Sequence, residues 1–62
     1  MSGPKSEILI EFVVQGNVVK VTAVDSATGI EAAIMGPANG ARDALTHAAV
    51  KKLKYMMRKK KP

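Results

Sequence analysis

The chain has 62 residues, no cysteine and a net charge of +5. This length allows one domain at most, and without cysteine the fold depends on its core, with neither disulfides nor a thiolate metal site. A hydrophobic fraction of 47% excludes wholesale disorder. The apolar runs are too short to span a bilayer, and residues 1–6 lack the apolar region of a signal peptide, so we expect a cytoplasmic protein.

The charge is distributed unevenly along the chain. Residues 1–40 hold two lysines against four acidic residues, a net charge of −2, whereas residues 41–62 hold eight Lys or Arg against Asp43, a net charge of +7. Such asymmetry indicates that the second half meets an anionic partner, whether nucleic acid, an acidic protein or a membrane surface.

Three strands are predicted after a disordered N-terminal lead over residues 1–6. Alternating apolar residues predict a strand over 7–15, and the Gly-Asn pair that follows suits a two-residue hairpin, because both residues accept positive φ angles. The second strand covers 18–25. A turn in which Asp25 bonds nearby backbone amides then leads to a third strand over 30–35.

The expected register places apolar residues opposite one another on one face of the sheet. Val14 faces Val19 across the first hairpin, and Ala23 faces Ala32 across the second. The inner face that needs a cover is then formed by Ile8, Ile10, Phe12, Val14, Val19, Val21, Ala23, Ile30, Ala32 and Ile34.

A helix of about 41–60 is predicted to cover that face. Asn39 is the expected N-cap, and Asp43 suits the first turn. The apolar stripe consists of Ala41, Ala44, Leu45, Ala48, Ala49, Leu53 and Met56, with Lys52 snorkelling from within it. We therefore predict an α+β fold over residues 7–58, a three-stranded antiparallel β-meander with one C-terminal helix packed on one face (β-β-β-α), and a basic tail over 59–62.

The opposite, outer face of the sheet is also rich in apolar residues. Exposed together, such side chains would mark an interface, and a short chain gains stability from a second subunit. Scattered Val and Ala residues can equally serve strand propensity alone. The candidate interface residues are Leu9, Val13, Val18, Val24, Ala33 and Met35.

The sequence offers little for catalysis or metal binding. The only histidine, His47, lies four residues from both Asp43 and Lys51, so side-chain pairing in solvent explains it. One His, no Cys and dispersed carboxylates cannot complete a metal coordination sphere. The loop before the helix lacks the Lys-Ser/Thr of a phosphate-binding loop. We predict no enzyme activity, no cofactor and no metal.

The basic face of the predicted helix is the strongest functional signal. A row at helical spacing, formed by His47, Lys51, Lys54, Arg58 and Lys61, can neutralise several phosphates. The alternative is a solvated face with a basic tail that serves solubility. Because Phe12 and Tyr55 are the only aromatic residues, we expect contacts to backbone or shape without base stacking. The candidate nucleic-acid-binding residues are Lys51, Lys54, Arg58, Lys59, Lys60, Lys61 and Arg42.

The order of elements, with a helix reading Ala44-Leu45-Thr46-His47-Ala48-Ala49-Val50-Lys51-Lys52-Leu53, resembles the C-terminal two-thirds of a double-stranded-RNA-binding domain over residues 7–53. That family's helix carries an alanine, an alanine pair four residues on and a leucine at similar spacing, and its start carries a lysine cluster that straddles phosphates. Arg42 matches one cluster position, whereas Ala41 and Leu45 replace the others. The family's first helix has no counterpart in residues 1–6. The chain also resembles a family of short uncharacterised bacterial proteins, which implies no activity.

The expected function is that of a small basic binding module. It would contact nucleic acid through the outward face of its helix, RNA in preference to DNA, with double-stranded RNA implied by the resemblance. The alternative is a structural or adaptor protein that acts as a homodimer or protein–protein interaction module through the outer sheet face. Membrane binding is not expected, because the apolar stripe would have to leave the sheet.

Overall fold

The computed structural model describes residues 7–59 as three antiparallel strands followed by one helix. Strand β1 spans Ile8–Gln15, β2 spans Val18–Asp25, β3 spans Glu31–Pro37, and helix α1 spans Arg42–Lys59. The strands lie in the order β1-β2-β3 in one open sheet, so β1 and β3 are its two edges. The predicted β-β-β-α fold is confirmed. The predicted lead over 1–6 and the tail residues 60–62 lie outside the described residues, whereas Lys59 belongs to the helix.

Both hairpins have the predicted register. Val14 lies opposite Val19 in the first hairpin, and Ala23 lies opposite Ala32 in the second. The first turn places Gly16 at a φ of 61°, a left-handed conformation that glycine adopts without steric cost. The alternating pattern of apolar residues therefore predicted the pairing correctly. A slip of the register by one residue would move all of these apolar residues to the other face of the sheet.

The turn between β2 and β3 is organised by Asp25, whose side chain is buried with 1% of its surface exposed. One carboxylate oxygen, Oδ2, accepts the backbone N–H of Thr28 at 2.9 Å and the Thr28 hydroxyl at 2.7 Å. The Asp25 carbonyl accepts the N–H of Gly29 at 2.8 Å, and Gly29 has a φ of 78°. The predicted role of Asp25 in this turn is confirmed.

The core lies between α1 and the strands β2 and β3, across which the helix packs. Its fully buried members are Val19, Val21, Ala23, Ala32, Ala49 and Leu53. Gly36 allows the helix to approach β3 closely, since a Cβ added there would lie 2.5 Å from Cδ2 of Leu45. On the uncovered side, β1 is only partly shielded, and Val14 keeps 52% of its surface exposed although it lies on the inner face.

The predicted stripe of α1 is correct in part. Leu45, Ala49, Leu53 and Met56 pack in or against the core, but Ala41, Ala44 and Ala48 are exposed. Val50 and Met57 pack against the core instead. The helix is thus rotated about its axis relative to the prediction, because larger side chains remove more apolar area from water than alanine does.

The start of α1 also differs from the prediction. The helix begins at Arg42, so the residue before its first turn is Ala41, whose carbonyl accepts the N–H of Leu45 at 3.1 Å. A turn in which the N–H of Gly40 donates to the Pro37 carbonyl at 2.9 Å keeps Asn39 outside the helix. Asn39 was therefore wrongly predicted as the N-cap, whereas Asp43 does lie in the first turn.

Lys52 does not extend from within the buried stripe. It is exposed, and its ammonium nitrogen Nζ donates to the carbonyl of Ala33 in β3 at 2.9 Å. The rotation of the helix brings Lys52 to the rim of the helix–sheet contact, where its long side chain can reach the sheet edge.

Candidate nucleic-acid interface

The outward face of α1 carries a row of exposed side chains that we call the basic stripe, formed by His47, Lys51, Lys54 and Arg58. At 100° per residue these positions fall within an arc of about 60°, and they extend about 16 Å along the helix axis. Backbone hydrogen bonding and the packing of Leu53 against the sheet hold the helix in place. The stripe is therefore a preformed surface whose cations point in one direction.

Charge is separated between the two layers of the protein. Helix α1 holds six Lys or Arg against Asp43, a net charge of +5, while residues 7–37 hold Lys20 against four acidic residues, a net charge of −3. The second half of the helix, residues 50–59, contains five cations and no acidic residue. An anion is thus attracted to the C-terminal half of α1 and repelled by the sheet.

The remaining candidate cations are not all on the stripe. Lys59 lies beside it in the last turn, with Nζ 5.7 Å from the centre of the Tyr55 ring. Arg42 precedes Lys51 by nine residues, which is half a turn around the helix, and its guanidinium lies 4.8 Å from the centre of the Phe12 ring in β1. Arg42 therefore lies on the sheet side of α1. Lys60 and Lys61 lie outside the described residues.

Tyr55 is a candidate that the sequence reasoning overlooked. Its side chain is 54% exposed, and it lies four residues after Lys51 and three before Arg58, so its ring borders the basic stripe. An exposed aromatic ring beside cations can stack on a nucleic-acid base. Its position in the sequence could have indicated this role, since Tyr55 follows Lys51 by one helical turn and does not lie on the face of Leu53.

The outer sheet face brings the candidate interface residues together, although charged residues interrupt them. Leu9 and Met35 are 55% and 65% exposed. Val13 and Val18 are also exposed, and Val24 and Ala33 are half-buried. In the sheet register Lys20 lies between Val13 and Met35. The apolar surface is thus divided into small patches around Lys20 and the neighbouring glutamates.

A family model described as "Domain of unknown function (DUF6898)" matches residues 5–61, which include all four elements of the fold. The chain belongs to this family. Comparison with curated proteins and with solved structures finds no match. The predicted membership of an uncharacterised family is thus supported, while the resemblance to a double-stranded-RNA-binding domain remains a prediction.

The described part of this DUF6898 domain contains no pocket and no group of three or more His, Cys, Asp or Glu side chains that could hold a metal ion. Among residues 7–59 no helix is both long enough and apolar enough to cross a membrane. The basic stripe and the outer sheet face are candidate contact surfaces.

Proposed function

We propose that the basic stripe binds the phosphate backbone of nucleic acid, with double-stranded RNA as the preferred ligand. The observation that carries the proposal is the exposure of Lys51, Lys54 and Arg58 on one face of a helix half without acidic residues. Cations held on a rigid helix release counterions from the phosphates that they neutralise, and this release drives binding.

The geometry sets the expected strength of the salt dependence. Lys51, Lys54, Arg58 and the adjacent Lys59 can neutralise about four phosphates. For about four contacts, the affinity should fall roughly 100-fold between about 50 and 200 mM salt. A smaller fall would indicate fewer contacts than the stripe offers.

The preference for duplex RNA is supported by the resemblance over residues 7–53. In that family the start of the helix contacts phosphates, but here Arg42 reaches Phe12 and Asp43 adds a negative charge nearby. The proposed contact surface is therefore the C-terminal half of α1. Tyr55 borders this half and would add stacking only where a base is unpaired.

Fluorescence anisotropy with a labelled RNA duplex of about 16 base pairs tests the proposal. The double variant Lys51→Gln/Arg58→Gln removes two cations from the stripe and should weaken binding at about 50 mM salt at least 10-fold. The matched control Lys20→Gln/Arg42→Gln removes the same charge away from the stripe and should weaken binding less than about 3-fold.

Three results would contradict the proposal. Absence of duplex binding at low salt would exclude the proposal. Equal losses of affinity in both double variants would show that binding depends on net charge and not on the stripe. Binding of a poly-glutamate peptide as tight as that of the duplex would assign the stripe to an acidic protein instead. Tyr55→Leu adds a finer comparison, since it should weaken binding to single-stranded RNA and leave the duplex unaffected.

The second candidate is a structural or adaptor protein that uses the outer sheet face, as a homodimer or toward another protein. The exposure of Leu9 and Met35 on that face supports it. Sedimentation should then give a dimer or complex that Val13→Lys or Val24→Lys dissociates, because a buried lysine without a partner is costly. A wild-type monomer at high concentration, with no partner bound, would count against this candidate.

A further inference from the structure

The two edges of the sheet differ in how their backbone groups are satisfied. Gln15 pairs with Val18 across the two-residue turn, and the Glu7 carbonyl accepts the N–H of Ser26 at 2.9 Å. Hydrogen bonding alternates along an antiparallel strand, so the odd-numbered residues of β1 bond to β2. We call the outward N–H and C=O groups of Ile8, Ile10, Phe12 and Val14 the β1 edge; these groups have no hydrogen-bond partner among residues 7–59.

The other edge, at β3, is protected in part. The Asp25 N–H donates to the Ile30 carbonyl at 2.9 Å, so the even-numbered residues of β3 face β2 and the odd-numbered ones face outward. One of the outward carbonyls, that of Ala33, accepts the ammonium of Lys52, and Pro37 has no N–H to offer. Lysine and proline are the residues that natural sheets use against edge-to-edge pairing, and β1 contains neither over its eight residues.

The side chains next to the β1 edge also lack a cover. Because α1 packs across β2 and β3, the inner-face residues Ile8, Ile10 and Phe12 are only partly buried, and Val14 is 52% exposed. A strand added beyond β1 would bond the free backbone groups and shield these side chains at the same time.

We propose that a second copy of this chain docks on the β1 edge, strand antiparallel to strand. The result is a six-stranded sheet in the order β3-β2-β1-β1-β2-β3 with both helices on one side. A second copy fits better than a strand of another protein because the two β1 edges satisfy each other, and both outer edges are then β3, which is protected in part by Lys52 and Pro37. This inference is independent of the proposed nucleic-acid binding.

Charge and exposure together select the register of the proposed pairing. A two-fold axis at Glu11 places Glu11 directly opposite Glu11 of the second copy, which is repulsive. An axis at Ile10 leaves Val14, which is 52% exposed, without a partner in β1, and axes at Leu9 or Val13 form fewer hydrogen bonds. An axis at Phe12 sets Phe12 against Phe12, Ile10 against Val14 and Glu11 against Val13. This register forms about six new backbone hydrogen bonds.

Sedimentation velocity over a concentration series tests the dimer, with Val14→Pro as the decisive variant. The N–H of Val14 points away from β2, so proline leaves the β1–β2 hydrogen bonds intact while it removes one intermolecular hydrogen bond per copy and introduces a clash. We expect a wild-type dimer, and for Val14→Pro a rise in the dissociation constant of at least about 100-fold with an unchanged far-UV CD spectrum.

Two matched controls locate the interface. Val14→Thr keeps the backbone N–H and the branched shape, so it should remain a dimer. Val24→Lys changes the outer sheet face on β2, away from the β1 edge, and should also remain a dimer. A wild-type monomer throughout the series, a dimeric Val14→Pro variant, or dissociation by Val24→Lys without dissociation by Val14→Pro would each overturn the inference.

Amide hydrogen exchange supplies a second measurement that does not depend on a variant folding. At concentrations where the dimer prevails, the N–H groups of Ile10, Phe12 and Val14 should exchange slowly, and on dilution they should exchange rapidly. The N–H of Val13, which bonds to β2, should stay protected in both conditions. Rapid exchange of Phe12 in a concentrated sample would contradict the proposed pairing.

Discussion

Replacing Asp25 by alanine removes the buried carboxylate that holds the turn between β2 and β3. Its Oδ2 accepts two hydrogen bonds from Thr28, at 2.9 Å from the backbone N–H and at 2.7 Å from the hydroxyl. Hydrogen bonds to charged groups contribute about 1.5–3 kcal/mol each, and two bonds that share one oxygen do not add fully. We expect Asp25→Ala to lower the free energy of unfolding by about 3 kcal/mol, which is much of the stability of so small a domain.

Urea denaturation followed by far-UV CD measures this loss, and a double-mutant cycle assigns it. Asp25→Asn keeps an oxygen that can accept from Thr28 and should lose about 1 kcal/mol. Thr28→Ala removes the hydroxyl that donates to Asp25 and that accepts the N–H of Ile30 at 3.2 Å; the second bond is lost in both backgrounds and cancels in the cycle. Once Asp25 is alanine that hydroxyl has no carboxylate acceptor, so Thr28→Ala should cost less in the Asp25→Ala background than in the wild type, with a coupling of about 1 kcal/mol.

Either of two results would refute this reasoning. Additive effects of Asp25→Ala and Thr28→Ala would mean that the two side chains stabilise the turn independently. A loss for Asp25→Ala no larger than that for Asp25→Asn would mean that the hydrogen bonds to Thr28 contribute little and that the carboxylate is merely tolerated.

Three further predictions can be tested by the same urea titration. Leu53→Ala should cost about 2–5 kcal/mol because it leaves a cavity between helix and sheet, whereas Leu53→Met should cost less than about 1.5 kcal/mol; equal losses would contradict the packing. Gly29→Ala should cost about 1 kcal/mol at its φ of 78°, and Gly29→Asn less; a neutral alanine would exclude strain. Gly36→Ala should lower the free energy of unfolding by about 1 kcal/mol, because the added methyl group forces the Leu45 side chain out of its rotamer. In a Leu45→Ala background, where that side chain is absent, Gly36→Ala should have no such cost.

The sheet could be predicted from the sequence because its signals are local and mutually consistent. Alternation from Ile8 onward, a Gly-Asn pair and a carboxylate at Asp25 each favour the same pairing, and a shifted register would have turned Phe12 and Val21 toward solvent. Few alternative pairings were compatible with all three signals.

The orientation of the helix could not be predicted equally well. Alanine is apolar but buries little area, so Ala44 and Ala48 can lie on the buried or on the exposed side of the helix. The larger side chains of Val50 and Met57, which pack against the core, determine which side faces the sheet. The rotation of the helix about its axis also depends on the conformation of the loop before Arg42, and the spacing of apolar residues does not predict that conformation.

The candidate interface was likewise predictable in part. Exposure of Lys51, Lys54 and Arg58 follows from helical spacing alone. The placement of Arg42 against Phe12 depends on tertiary packing, and the exposure of Tyr55 beside the stripe depends on the burial of Leu53 in the core. Sequence spacing therefore defines a stripe, but only the packed structure defines its borders.

The order of the sheet, in which each strand pairs with its neighbour in the chain, has a consequence for the rate of folding. Both hairpins pair strands that follow one another directly, and α1 follows β3 after a short loop. Closing short loops costs little conformational entropy. The chain should therefore fold faster than a sheet of similar size whose adjacent strands are distant in the sequence.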